Sequence, residues 1–247
     1  MNRVKKQKPV IIPGIISIDL VEKTIQHGAS AKNIPERISI ISSIFLGIPY
    51  KTSTIDEHSK DAEQLVIDFS GVDCFTFLDY VESMRRATTW RGFIKTLRST
   101  RYRKSSISFK HRNHFFSDWI KNNTSTIADF TKKTASHKTV IATKKLNRKD
   151  DGSLYVRDIK PVQRRINYIP SSSLDQNIID RLRTGDYAGI YSDKPGLDVS
   201  HVGIIIKTES GVKLRHASSA RTNRCVVDED LFKYISKKPG LVLFRPI

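Results

Sequence analysis

Cysteine is scarce in this sequence. The 247 residues include only Cys74 and Cys225, with no C-x-x-C pair. This scarcity argues against a disulfide framework and against a zinc ribbon, since both need several closely spaced cysteines. Cys225 stands in a strand-like stretch, which favours a small buried thiol. A Cys74–Cys225 disulfide in an oxidising compartment remains an alternative, ranked below two separate thiols.

Long apolar runs are also lacking. No stretch of about 18 apolar residues occurs, so we predict no membrane-spanning segment. The apolar stretch that follows Lys8 is short and interrupted by proline, unlike the core of a signal peptide. We therefore expect either that a signal was removed or that the protein is made without one.

Acidic residues are few: 25 Asp and Glu stand against 43 Lys and Arg, a formal net charge of +18. Such a surface attracts polyanions, namely nucleic acid, anionic lipid or acidic wall polymers. No nucleic-acid-binding motif is present, and aromatic residues do not alternate with the basic run 132–165. We expect no specific nucleic-acid partner and a solvated basic face. A non-catalytic polyanion-binding module remains an alternative.

Composition divides the chain into a short arm and one domain. Residues 1–14 are basic and contain prolines, which predicts a loose N-terminal arm. Residues 15–247 are expected to form a single domain, in which the Lys- and Arg-rich stretch 131–165 is a basic surface excursion. Helical patterns dominate the first half, and short strand patterns separated by turns fill the last third. This order predicts an α+β fold with an antiparallel sheet.

The strongest chemical signal lies at Cys74. An apolar run breaks at Ser70-Gly71, and apolar residues then recur at helical spacing from Cys74 to Met84. The pattern predicts a helix that begins at the cysteine and turns the thiol inward. Because a helix N-terminus carries partial positive charge, we predict a lowered thiol pKa and a nucleophilic thiolate.

Two downstream histidines can serve that thiol. His201 opens one strand-like run and His216 ends the next, with a hairpin-type turn between them. Adjacent antiparallel strands place such residues side by side. His201 is then the candidate base and His216 its orienting partner. Gly203 is expected to leave room for the helix that carries Cys74.

Simpler interpretations exist for each of these residues. A lone cysteine on an apolar helix face is usually core, and a lone histidine at a strand end is usually just hydrogen-bonded. The order helix-start cysteine, strand histidine, turn and second strand histidine favours a catalytic site instead. A zinc site on Cys74, His201 and His216 is the chemical alternative, but the paired ligand spacing is missing. We predict no metal and no cofactor.

Four short motifs occur in one order: Gly47-Ile48-Pro49-Tyr50, Asp73-Cys74, His201-Val202-Gly203 and His216-Ala217-Ser218-Ser219. This ordered set resembles the NlpC-type superfamily of papain-like cell-wall hydrolases. Longer motifs resemble an N-acetylmuramoyl-L-alanine amidase-like branch of it: Phe45 to Tyr50, Asp73 to Phe77, Arg112 to Ile120 and Gly196 to Gly203. Phe115 stands where that branch usually has tyrosine. The resemblance extends from about Pro35 to the C-terminus.

The resemblance implies a papain-like (NlpC-like) fold, with N-terminal helices and a catalytic helix packed on the antiparallel sheet. It implies that Cys74 is the nucleophile, His201 the base and His216 the orienting residue. The backbone N–H of Cys74 would help to form the oxyanion hole.

Four further residues are implied as substrate contacts. Tyr50 is implied to line the site, and Asp73 to contact a free amine of the substrate. For Asp73 a helix N-cap is the alternative. His114 and Trp119 are implied to line the cleft, with aromatic core packing as the alternative.

The implied function is a cysteine hydrolase that cleaves an amide bond of peptidoglycan stem peptides through a thioester. Both an N-acetylmuramoyl-L-alanine amidase and a γ-D-glutamyl-diamino acid endopeptidase fit. A papain-like acyltransferase or lipid hydrolase is a further alternative, although those relatives often carry the histidine before the cysteine. The expected partner is peptidoglycan, and the expected place of action is the periplasm or cell envelope. A toxin exported by a specialised secretion system would add an immunity protein as partner.

Overall fold

The computed structural model describes residues 8–52 and 63–247. The α-helices in these residues are α1 Ile18–Ala29, α2 Ile34–Ser43, α3 Cys74–Arg85, α4 Trp90–Arg101, α5 Phe116–Asn122, α6 Thr131–Ala135, α7 Gln176–Arg181 and α8 Leu231–Ile235. The strands are β1 Val10–Ile12, β2 Val66–Asp68, β3 Ile127–Asp129, β4 Val140–Leu146, β5 Val162–Pro170, β6 Tyr187–Tyr191, β7 Val199–Thr208, β8 Gly211–Ala217, β9 Val226–Asp230 and β10 Gly240–Pro246. None of the described helices is long and apolar enough to cross a bilayer.

One antiparallel sheet forms the centre of the structure. Its strands follow the order β4-β5-β10-β6-β7-β8-β9, and β3 pairs with β10 beside this path. Every pairing in it is antiparallel. Helices α1, α2 and α4 pack around α3, and α3 lies against β7 and β8. The predicted α+β class with an antiparallel sheet is confirmed.

The N-terminal segment is more ordered than expected. Val10–Ile12 forms β1, which pairs in parallel with β2, and Phe69 N donates to Ile12 O at 3.0 Å. A Cβ on Gly14 would lie 1.8 Å from the Phe69 carbonyl oxygen, so the chain is tightly packed there. The expectation of a loose arm over 1–14 is therefore wrong for 10–14, because apolar strand-forming residues pair with β2. Residues 1–7 lie outside the described residues.

The basic stretch 131–165 contains α6, β4 and the start of β5. β4 pairs with β5 along its whole length, from Val140 opposite Tyr168 to Leu146 opposite Val162. β4 is the outermost strand of the sheet. On it Lys145 is exposed, whereas Lys144 is half-buried and donates to the carbonyls of Lys194 and Leu197 at 3.0 Å. Such charged edges disfavour pairing with another chain.

Helix α3 is buried all round. Every residue from Thr76 to Arg85 is buried, because α1, α2 and α4 surround the helix and β7 and β8 lie beneath it. The prediction of a single inward face was too narrow. The helix therefore carries charged side chains into the core, where each needs a partner.

Asp79 is neutralised by two neighbours from other helices. Arg101 Nε lies 2.8 Å from its carboxylate, and Trp119 Nε1 donates to it at 3.0 Å. Burial raises the pKa of Asp79, and the Arg101 charge opposes that rise. Through these two contacts, Asp79 fixes α3 against α4 and α5.

Glu82 is neutralised in a similar way, one helical turn further on. Arg85 Nε lies 2.5 Å from its carboxylate, and Tyr187 Oη donates to it at 2.7 Å. Tyr187 belongs to β6, so this contact fixes α3 against the sheet.

We expect Arg101→Ala to be strongly destabilising, because Asp79 would stay buried without its cation. The free energy of unfolding should fall by about 3–5 kcal/mol, measured as a lower urea midpoint at unchanged slope. Lys95→Ala, on the exposed side of the same helix, is the control and should shift it by less than about 0.5 kcal/mol. Equal midpoints for the two variants would contradict this account of the core.

Candidate active site

Cys74 is the first residue of α3, and Asp73 is its N-cap. The Asp73 side chain accepts a hydrogen bond from Thr76 N at 2.6 Å, in an extended backbone conformation. The N-cap interpretation of Asp73 thus describes its position. It leaves the carboxylate beside the thiol.

The Gly47–Tyr50 motif holds the start of this helix in place. Val72 N donates to Pro49 O at 3.0 Å, and Tyr50 N donates to Arg224 O at 2.8 Å. The motif is thus hydrogen-bonded on one side to the residues before α3 and on the other to those before β9. Tyr50 lies close enough to Cys74 and Asp73 that both groups add to the effect of burial in raising the tyrosine pKa.

The two candidate histidines are in contact. Strands β7 and β8 pair with Ile204 opposite Arg215. This register brings the side chains of His201 and His216 to the same part of the sheet. His201 Nε2 lies 2.7 Å from His216 Nδ1, and the rings are nearly perpendicular at 89°. The hairpin geometry expected from the sequence is what the strands adopt.

Gly203 has a different role from the one expected. A Cβ at this position would lie 2.7 Å from Leu214 Cδ1, 2.9 Å from Arg215 O and 3.0 Å from His216 Cβ. The missing side chain therefore makes room for β8 and not for α3. The earlier expectation is wrong because the neighbouring strand, not the helix, approaches this backbone.

The hydrogen-bonded chain continues to Glu229, a residue that was not predicted from the sequence. His216 Nε2 lies 3.1 Å from Glu229 Oε1, and Asn223 Nδ2 donates to the same oxygen at 3.1 Å. Glu229 lies in β9, which includes the acidic run 228–230. Because side chains alternate along a strand, residues 227 and 229 lie on one face of β9, and this pattern could have pointed to Glu229. The register of β8 and β9, with His216 opposite Val227, decides that this face meets His216.

Tyr234 of α8 forms the other side of the histidine pair. Its ring centroid lies 5.0 Å from that of His216 and 6.1 Å from that of His201. Burial raises its pKa to about 12, and Glu229 and Cys74 add to the shift. Sequence gave no signal for this residue, since its place depends on how α8 packs.

The thiol is not the thiolate that the helix dipole argument predicted. Burial, followed by the charge of Asp73, raises the pKa of Cys74 to about 12. Backbone N–H groups of Val202, Cys74 and Phe75 lower it, but they do not outweigh burial. The prediction of a lowered pKa was wrong because it considered the helix end and not the enclosure around it.

His201 is neutral as well. Burial, then the neighbouring His216 and Lys238, lower its pKa from 6.5 to about 3. With both rings neutral, one arrangement satisfies the whole chain: His201 Nε2–H donates to His216 Nδ1, and His216 Nε2–H donates to Glu229. This tautomer leaves His201 Nδ1 as an unprotonated acceptor.

The thiol lies against the backbone of Val202, the residue that follows His201. Among the described residues, the ring of His201 is hydrogen-bonded to His216 and not to the thiol. Such bonds between nucleophile and base often tighten only when substrate binds. The thiol therefore adjoins Tyr50, Asp73 and the backbone next to His201. The thiol–histidine cluster is the name used below for Cys74, His201, His216, Tyr50 and Asp73.

The structure separates the two remaining candidates from that cluster. Trp119 is fully buried, so it cannot touch a substrate; its ring packs on Phe75 with centroids 6.3 Å apart and supports the first turn of α3. His114 Nε2 lies 2.8 Å from Phe109 O, and the ring lines another cavity. The expectation that both line the thiol cleft is wrong, because α5 and the turn before it face the core and that second cavity.

The zinc alternative has no ligand set to support it. Across 8–52 and 63–247, no group of three or more His, Cys, Asp or Glu side chains is arranged to hold a metal ion. Both cysteines are free thiols.

Fold and site together define an α+β protein with a half-buried cysteine at a helix start and a histidine pair on an antiparallel sheet. A family model described as AmiA-like, N-acetylmuramoyl-L-alanine amidase-like, matches residues 40–241. The chain belongs to this AmiA-like family. No curated protein matches the sequence.

Several solved structures share the fold. A Legionella pneumophila protein of the DUF1460 family has a TM-score of 0.78 at 22% identity, covering 93% of this chain and 95% of that one. An N-acetylmuramoyl-L-alanine amidase from Bacteroides uniformis has a TM-score of 0.68 at 22% identity, covering 92% and 98%. A Bacteroides fragilis protein described as a candidate xylanase has a TM-score of 0.66 at 26% identity, covering 83% and 98%. Because these neighbours carry different names, the fold alone does not fix the substrate.

Removing the charge beside the thiol should increase its reactivity. In a Cys225→Ser background, Asp73→Asn should speed alkylation of Cys74 by iodoacetamide at neutral pH, because the carboxylate that helps to raise the thiol pKa is gone while asparagine still caps the helix. Rates are measured by mass spectrometry under native conditions. An unchanged or slower rate would contradict the assigned role of Asp73 in the pKa shift.

Proposed function

We propose that the protein is a papain-like, NlpC-type cysteine amidase that acts on peptidoglycan stem peptides. The observation that carries the proposal is the 2.7 Å contact between His201 and His216, in the cluster that contains the Cys74 thiol. Membership of the amidase-like family supports the substrate class. The family description favours the amide between sugar and L-alanine, and a γ-D-glutamyl-diamino acid bond is the alternative.

The neutral thiol and neutral imidazole favour attack coupled to proton transfer. In the proposed reaction, His201 Nδ1 takes the thiol proton while the sulfur bonds to the amide carbonyl carbon. The N–H of Cys74 stabilises the oxyanion. The amine leaves with the proton from His201, and water then hydrolyses the thioester to release the acid and restore the thiol.

Two residues act on the base in this proposal. His216 holds His201 in the tautomer that leaves Nδ1 free to accept, and Glu229 holds His216 in turn. Both are positioning residues, comparable to the third member of a catalytic triad.

Tyr50 and Asp73 are proposed as substrate contacts, because both lie beside the thiol. The ring of Tyr50 also lies under the solvent-exposed Arg224, with the guanidinium carbon 6.0 Å from the ring centroid. Asp73 would receive an amine of the stem peptide. We place the activity in the periplasm or cell envelope, where peptidoglycan is found. An immunity protein would be a partner if the enzyme is a secreted effector.

Cys74→Ala should abolish release of soluble fragments from purified sacculi, because the proposed nucleophile is gone. Cys225→Ala is the matched control and should keep full activity. Mass spectrometry of the products identifies the bond: peptide-free sugars indicate the sugar–peptide amide, and shortened stems indicate the endopeptidase. Full release by Cys74→Ala would refute the proposal, and fatty acid release from liposomes in place of wall fragments would favour a lipid hydrolase.

The decrease of kcat/KM at low pH, the acid limb of the pH profile, tests whether His201 is neutral at neutral pH. Since the pKa of His201 is lowered to about 3, kcat/KM should hold well below pH 6.5 and fall only as pH approaches the lowered value. The folded state resists protonation of His201, so stability also falls as pH drops from 6.5 toward 3, and the thermal midpoint is measured in parallel.

His216→Ala should lower kcat by about 100-fold with little change in KM. It should also move the acid limb to higher pH, because the neighbour that helps to depress the pKa of His201 is gone. A wild-type limb near pH 6.5, unmoved by this substitution, would contradict the proposed role of the pair.

A further inference from the structure

A cavity of about 410 Å³ opens between the segment 103–122 and the residues that lead into β5. This size lies in the range of small-molecule sites, roughly 300–1,000 Å³. None of its lining residues belongs to the thiol–histidine cluster. Its charged lining consists of six cations and two carboxylates: Arg103, Lys110, Arg112, Lys121, Lys160 and Arg164, with Asp118 and Asp158.

Two of the cations are fixed in the cavity wall. Arg112 Nη2 lies 2.6 Å from Glu63 Oε1, and both side chains are largely buried. Arg164 Nη2 lies 2.5 Å from Asp118 Oδ1. These pairs join the 103–122 segment to the chain before β2 and to β5, so the wall is held from two sides.

The other four cations share no such neutralisation. Within 8–52 and 63–247, Arg103, Lys110, Lys121 and Lys160 have no ion-pair partner. The Arg103 guanidinium donates to Lys110 O at 3.4 Å. The four side chains are exposed and come from separate turns, a helix and a strand lead-in, yet they line one concavity.

Convergence of this kind differs from a solvated basic face. Like charges on a flat surface point apart, whereas charges around a concavity focus a positive potential into it. The four cations repel one another across the cavity, and an anion with several charges that enters it offsets this repulsion. A planar guanidinium and several ammonium groups are the side chains that bind phosphoryl oxygens.

We propose that this cavity binds a phosphate-bearing polyanion through Arg103, Lys110, Lys121 and Lys160. Binding is independent of the thiol, so it adds a site to the protein beyond its proposed reaction. The basic stretch 131–165 contributes only its last part, through Lys160 and Arg164. Phosphoryl groups of this kind occur in polyol-phosphate wall polymers and in phospholipid headgroups.

Tripolyphosphate is the probe for this site, with affinity measured by isothermal titration calorimetry at low ionic strength. The triple variant Lys110→Gln, Lys121→Gln, Lys160→Gln should bind it about tenfold more weakly or worse. The matched control is Lys32→Gln, Lys132→Gln, Lys233→Gln, which removes the same charge from exposed lysines elsewhere and should stay within about twofold of wild type. Equal weakening in both triples, or no binding by wild type, would overturn the proposal.

Two further arms separate the sources and the activities. A glycerol-phosphate polymer and phosphatidylglycerol vesicles are each tested against both triples, and dependence on the cavity lysines with either one supports the site and names its source. Binding of both that ignores these lysines overturns it. Cys74→Ala should retain tripolyphosphate affinity, and the cavity triple should retain activity on soluble muropeptides, so failure of one proposal leaves the other distinguishable.

Discussion

Charge neutralisation inside a helix that is buried on every side is the constraint on which the rest of this structure depends. Asp79 and Glu82 of α3 would be costly in the core without the cations and donors that reach them from α4, α5 and β6. Those contacts fix the helix against its neighbours. They thereby fix Cys74, whose position at the first turn follows from where the helix is held.

The same enclosure determines the chemistry of the site. A thiol beneath packed elements and beside Asp73 is neutral, and so is the imidazole of His201. The site therefore differs from a preformed thiolate–imidazolium pair, and in the proposed reaction the proton transfer accompanies the attack. The chain from His201 through His216 to Glu229 fixes the tautomer that such a transfer requires.

Local patterns predicted much of this arrangement. Helix α3 begins at Cys74, the predicted residue. The histidine pair was predictable because a short turn joins its strands, which leaves few registers. Trp119 was assigned to the wrong environment, since a motif shared with a family does not say whether a side chain faces substrate or core. Tyr234 was out of reach, because it approaches the pair through packing of α8.

The sequence by itself determined the α+β class, the antiparallel sheet, the helix-start cysteine and the neighbouring histidines, because each follows from spacing along a short piece of chain. Tertiary structure alone decided three features: the protonation states of Cys74 and His201, the hydrogen bond between His216 and Glu229, and the cavity lined by Lys110. These depend on burial and on charges from distant segments. Electrostatic energies follow separation in space and exclusion of water, and neither quantity is written in the order of residues.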